Sequence, residues 1–195
     1  FSYPIGDLLY SFGLIFIPIL FYNLFRKKLS IGLIFINITS FFSLVFLTFN
    51  LNWGLNYYRL PLSKKMNLDI EYDKTELINT LNYLVRSTNS LHIKLTKDRN
   101  KIVKISYDAN QIIEMICKEF HFSQKFEQKL FLKKSLWSNI LNYMGFAGYL
   151  NPFTLESNIN LNIPKLNFII TAPHELAHQL GFASESEANF IAFIT

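Results

Sequence analysis

The chain has 195 residues, half of them hydrophobic and only 17% charged, where a soluble domain usually carries about 25%. A fully soluble single domain and a disordered chain are both excluded on that ground. The net charge of +5 is thinly spread, and no basic stripe interleaved with aromatics occurs, so no nucleic acid is expected as a partner.

The charges are unevenly placed. None occurs between Leu8 and Phe25, and none between Leu29 and Tyr58. The first apolar span, roughly Ile5 to Phe25, contains Pro18. The second, Leu29 to Leu51, would reach ~34 Å as a helix, enough for a hydrocarbon core of about 30 Å. Its polar members (Asn37, Thr39, Ser40, Ser43, Thr48) are small and tolerable between helices. A signal peptide fits poorly: the apolar region is too long, no basic segment precedes it and no small-residue cleavage site follows. Residues 1–51 are therefore expected to form two transmembrane helices, with the lipid bilayer as a partner. Arg26, Lys27 and Lys28 link them, and the positive-inside rule sets that turn in the cytoplasm. Residues 52–195 then form an extracytoplasmic domain, truncated at its C-terminus, since the sequence stops within the apolar helical pattern Phe190 to Ile194.

After the spans comes an aromatic stretch in which Trp53, Tyr57 and Arg59 read as membrane-interface anchors, with Pro61 marking the exit. Asp73 and Glu76 form a capping box ahead of Leu77, Leu81, Leu84 and Val85 at helical spacing. His92 to Lys104 reads as a loop. Helices are expected from about Asp108 to Phe120 and Ser123 to Leu132, and a shorter one around Trp137 to Met144, closed by Gly145. Cys117, the only cysteine, excludes an intrachain disulfide and a thiolate metal cluster, and among Ile112, Ile113, Ile116 and Phe120 it reads as a buried, inert thiol. From Phe146 to Pro164, Gly148, Asn151, Pro152 and Pro164 punctuate short apolar runs, which suits irregular strands or a hairpin. The fold class is mainly α (α+β): a transmembrane hairpin followed by a mostly helical domain with a small β element.

The chemistry lies near the end. His174, Glu175 and His178 form HExxH, whose histidines at i and i+4 share one helix face and can both reach one Zn²⁺. Glu175 stands where it can take a proton from a water at such a site. Thr171 is a plausible N-cap with Pro173 in the first turn, and Gly181 a natural C′ residue. For the third ligand Glu185 is favoured, with Asn189 one turn later to orient a ligand histidine. Glu187 is the alternative ligand, although a capping box with Ser184 also explains it. The remaining histidines, His92 and His121, are isolated from the motif and read as surface residues. Residues 148–154 could provide a strand edge beside the metal helix, though an ordinary turn fixed by Asn151 and Pro152 is the simpler reading.

The segment His174 to Phe190, HELAHQLGFASESEANF, resembles gluzincin-type zinc peptidases, in which HExxH is followed by a second helix carrying the glutamate ligand; the matching positions are Glu185 and, four residues on, Asn189. With GDLLY (Gly6 to Tyr10), WGLNYYRLPL (Trp53 to Leu62) and GYLNPFTLES (Gly148 to Ser157), the chain also resembles a bacterial membrane-protein family of unknown function. The resemblance implies membrane spans followed by a zincin-like domain, located in a bacterial inner membrane with residues 52–195 on the periplasmic side. One departure from better-known gluzincins is the short gap: six residues separate His178 from Glu185. The expected function is a membrane-anchored zinc-dependent metallohydrolase, a peptidase acting on a peptide or protein substrate. The alternative is a non-catalytic zincin-fold membrane protein that senses or binds a partner. Cleavage within the membrane ranks last, because Asn162, Asn167 and Pro173 flank the motif where such an enzyme needs a span. Oligomeric state is open.

Overall fold

A computed structural model describes residues 3–27, 30–120 and 130–195. They form two compact units, Phe1–Arg59 with Ala109–Thr195, and Leu60–Asp108.

Helices α1 (Ile5–Arg26) and α2 (Ile31–Asn52) have 22 residues each and are long and apolar enough to cross a membrane. Their apolar windows are not buried inside the protein, unlike the core helix of a soluble domain. Asn37, Thr39, Thr48 and Asn50 donate their side-chain hydrogen bonds to carbonyls four residues earlier, which satisfies them without water. Phe21 meets Phe41 edge-on across the two helices, with centroids 6.2 Å apart. A 3-10 turn, Gly54–Tyr58, follows α2 directly.

The second unit contains α3 (Leu62–Lys65) and α4 (Lys74–Thr96). Asp73 and Glu76 form the expected capping box at the start of α4. That helix runs further than the sequence suggested and takes in His92, whose Nε2 lies 2.7 Å from the carbonyl of Lys101. Leu77, Leu81, Leu84 and Val85 keep their helical spacing but remain exposed, so they do not form the buried stripe their periodicity implies.

The rest of the first unit comprises α5 (Ala109–Glu119), β1 (Leu132–Lys134), α6 (Ser138–Met144), β2 (Gly148–Asn151), β3 (Glu156–Ile159), α7 (Lys165–Gln179) and α8 (Glu185–Ile194). The sheet has the order β1-β3-β2, with β1 parallel to β3 and β2 antiparallel to it. Helix α7 lies against the sheet, α5 and α8. Ile112, Ile159, Leu176 and Ile191 are its most deeply buried large apolar side chains. Cys117 is half-buried rather than buried, and burial raises its thiol pKa, which favours the protonated form.

Three expectations are corrected. The helix predicted over Ser123 to Leu132 falls mostly on residues 121–129, as does His121, outside the described residues; Leu132 itself opens β1, paired with Ser157. Helix α7 starts at Lys165 behind Pro164, so Thr171 is not its cap and Pro173 lies inside the helix. An internal proline costs about 3 kcal/mol. Phe168, Ala172 and Leu176, at i, i+4 and i+8, are all buried, and at roughly 1.5–3 kcal/mol per large apolar side chain their burial offsets it. Ser184 does occupy the N-cap of α8, but its hydroxyl makes no capping bond and pairs instead with Ser186 Oγ at 2.8 Å.

The start of α1 is bound into the sheet. Asp7, the lone charge of its span, is fully buried and accepts hydrogen bonds from Ser135 Oγ (2.9 Å), the Leu136 N–H (2.6 Å) and the Tyr149 hydroxyl. The neighbouring Gly6 N–H donates to Glu156 Oε2 at 2.7 Å, and Glu156 is paired with Lys133. A Cβ at Gly6 would lie 2.8 Å from Asn151 Cγ, so this junction needs glycine. At the end of α2, Asn52 Nδ2 donates to the Phe153 carbonyl at 3.2 Å. Both helices therefore meet the globular part at the same end of the hairpin.

Asp7→Ala would leave three donors facing its place, the Ser135 hydroxyl in buried surroundings and the other two part-buried. At about 1–3 kcal/mol for an unsatisfied buried group, a destabilisation of about 1–3 kcal/mol is expected. Denaturant unfolding of the detergent-solubilised protein measures it, and an unchanged midpoint would refute this role for Asp7.

Candidate metal centre

Helix α7 carries His174 and His178 on one face, with ring centroids 4.6 Å apart and planes at 89°. Its C-terminal end is fixed by a Schellman turn. Gly181 adopts φ 82°, its N–H bonds to the His178 carbonyl (2.7 Å), and the Phe182 N–H bonds to that of Ala177 (3.2 Å). Gly181 thus holds the C′ position its sequence context suggested. The reversal aims the Phe182 carbonyl at the helix, where it lies 2.7 Å from His178 Nδ1. It also delivers α8, whose first residue is Glu185 and whose Asn189 Oδ1 lies 2.9 Å from His174 Nδ1.

A carbonyl only accepts, so His178 carries its proton on Nδ1, and the Asn189 oxygen assigns the same tautomer to His174. Both Nε2 atoms then present bare lone pairs, 3.1 Å apart. Glu185 adds its carboxylate, Oε2 at 3.3 Å from His174 Nε2 and Oε1 at 3.5 Å from His178 Nε2. Three electron-rich atoms converging in this way repel one another unless a cation lies among them. With ion–donor distances of ~2.0–2.1 Å, tetrahedral ligands sit about 3.3–3.4 Å apart. The observed 3.1, 3.3 and 3.5 Å match that edge, and two imidazoles with one carboxylate suit Zn²⁺. Burial, followed by the neighbouring His178, lowers the His174 pKa and favours the neutral ligand form. Among the described residues, His174, His178 and Glu185 are the group that could hold a metal ion, and Glu187 stands outside it.

Glu175 is buried on the same helix, and its Oε2 has no hydrogen-bond partner among the described residues. Its backbone carbonyl accepts from Ser157 Oγ at 2.6 Å, which ties the motif to β3. Burial, and secondarily the charge of Glu185, pushes its pKa up to about 8. Gly148 on β2 makes room for it, since a Cβ there would lie 2.7 Å from Glu175 Oε1. The stretch read as strand or turn is both: β2 forms an edge of the sheet, and Pro152 begins the turn into β3. Glu175, both histidines, Glu185, Gly148 and Tyr149 line one cleft of about 460 Å³. Burial, then the hydrogen bond and charge of Asp7, raises the Tyr149 pKa and keeps its phenol protonated.

The matching family model is described as a protein of unknown function (DUF3810) and covers residues 1–195. The chain belongs to this family. No curated protein and no solved structure matches it.

Several side chains that support the site were not anticipated. Trp53, read from sequence as an interface anchor, is buried and sets its ring edge-on to His178, with centroids 6.0 Å apart. Arg59, read likewise, donates to the Leu180 carbonyl at 2.8 Å and lies over the Phe182 ring at 4.9 Å, clamping the turn after α7. Tyr57 lines the cleft, as does Phe49 from the last turn of α2. His92 lies in the other unit.

Proposed function

We propose that this DUF3810 chain is a membrane-anchored zinc metallohydrolase with a gluzincin-like site that hydrolyses peptide bonds. The observation that carries the reading is the convergence of two Nε2 lone pairs and the Glu185 carboxylate beside a buried, unpartnered Glu175. His174, His178 and Glu185 hold the ion, while Asn189 and the Phe182 carbonyl fix the two ring tautomers. When bound, Zn²⁺ supplies Lewis-acid polarisation of the scissile carbonyl and brings the pKa of an attacking water to about 7. Glu175 takes the proton of that water and returns it to the leaving amine. Burial is the larger cause of the raised Glu175 pKa; positive charge beside Glu185 offsets the smaller one, the Glu185 charge, and so shifts Glu175 towards its ionised form. The free edge of β2 offers main-chain groups to an extended polypeptide along the cleft. With α1 and α2 in the bilayer, the positive-inside rule applied to the basic turn at Arg26 and Lys27 supports a site on the opposite, periplasmic side of a bacterial inner membrane.

A non-catalytic sensor has no use for a carboxylate buried without a partner between the two histidines. The test is metal content by mass spectrometry of the full chain purified without added zinc, beside its His178→Ala variant, with chelator-sensitive cleavage of a peptide mixture. About one zinc per chain, lost in the variant together with cleavage, is expected. Equally low metal in both would overturn the reading in favour of a non-catalytic binding protein.

A further inference from the structure

The wall of the cleft continues into the membrane hairpin. Phe49 lines it together with His174, Glu175, His178 and Glu185, and Phe49 belongs to the last turn of α2. Trp53, the residue after that helix, touches His178, and Tyr57 follows one turn later. As a span of 22 residues, α2 is about 33 Å long, close to a hydrocarbon thickness of about 30 Å. Phe49 lies three residues before its end, about 4.5 Å along the axis, and therefore at the edge of the hydrocarbon. Headgroups add roughly 5–8 Å on each side. His174, His178 and Glu185 line the same cleft as Phe49, which brings the candidate metal site to that layer. Leu51, Leu55, Tyr57 and Tyr58 are exposed along the same segment, as expected of a surface immersed in an interface.

We propose that the substrate is the juxtamembrane segment of a membrane-anchored polypeptide, cut within a few residues of where it leaves the bilayer. An extended chain rises about 3.3 Å per residue, so a layer of roughly 5–8 Å is crossed in two or three residues. A polypeptide fits better than a phospholipid headgroup. The edge strand β2 can pair with an extended main chain, and among the described residues the cleft lining has no lysine or arginine to hold a phosphate.

The inference rests on the peptidase reading and on α1 and α2 lying in a bilayer, and the test separates these. The full chain is reconstituted in phosphatidylcholine vesicles as Trp137→Phe, which leaves Trp53 as its only tryptophan. Quenching by lipids brominated at different depths is expected to be strongest for the shallowest label; no quenching by any label would detach the site from the bilayer and overturn the inference. In parallel, a library of randomised twelve-residue segments is offered to the wild-type chain, either fused to a single apolar span or free in solution. The expected result is cleavage at least about ten-fold faster for the anchored library, with cuts clustered within about four residues of the span. Equal rates, or cuts spread evenly, would overturn this inference and leave the peptidase reading standing. Shallow quenching with no cleavage of either library would overturn the peptidase reading, and this inference with it.

Discussion

Glu175→Gln is expected to lower peptide hydrolysis by roughly 10²–10⁴-fold, the usual contribution of a positioned general base, while the bound zinc stays in place. The two effects separate because Glu175 is not among the three groups placed to hold the ion. Glutamine keeps the shape of the side chain, so the close approach to Gly148 and the burial of the helix face are preserved. What disappears is the proton-accepting carboxylate whose Oε2 has no partner among the described residues. A carboxylate buried without a hydrogen bond is costly, and its retention makes sense where a substrate or water completes it. Zinc content and turnover measured on the same preparation decide the matter. Unchanged turnover would remove Glu175 from the mechanism, and loss of zinc would make it part of the metal site.

The motif face of α7 was legible because side chains at i and i+4 share a face whatever surrounds the helix. The start of that helix was not. Thr171 and Pro173 imitate a local start signal, and what overrides them is burial of Phe168 and Ala172 against distant parts of the chain. The same limit explains Trp53 and Arg59. An aromatic stretch after a span reads as an interface anchor, whereas the Arg59 bond to Leu180 closes over 121 residues of sequence. Asp7 did leave a signal, since a single carboxylate within an apolar span is expensive and usually has a partner. Its partners Ser135, Leu136 and Tyr149 lie in or beside strands too short to show a period. Both capping boxes looked alike in the sequence. The one at Asp73 forms, while at Ser184 the hydroxyl turns to Ser186 and makes no cap, an outcome composition does not encode.

Glu185→Ala is expected to weaken zinc binding by more than about 100-fold, beyond the 10–100-fold typical of losing a group that only orients a ligand. Glu187→Ala should change it little. Both glutamates lie in the first turn of α8, so a general effect of negative charge at the helix N-terminus would weaken both variants alike. Only the carboxylate of Glu185 comes within 3.3 and 3.5 Å of the two histidine Nε2 atoms. It is also largely solvent-exposed, at 76% of its side chain, so its removal leaves no buried group unpaired and the fold should survive. Asn189→Ala provides the intermediate case, because it frees the His174 ring to rotate without removing a ligand. Its loss of affinity should fall within about 10–100-fold. Competition with a chelator of known affinity, followed across the three variants, gives the order directly. Glu187→Ala falling furthest would move the third ligand two positions along α8, and equal losses for Glu185→Ala and Glu187→Ala would reduce both residues to a field effect.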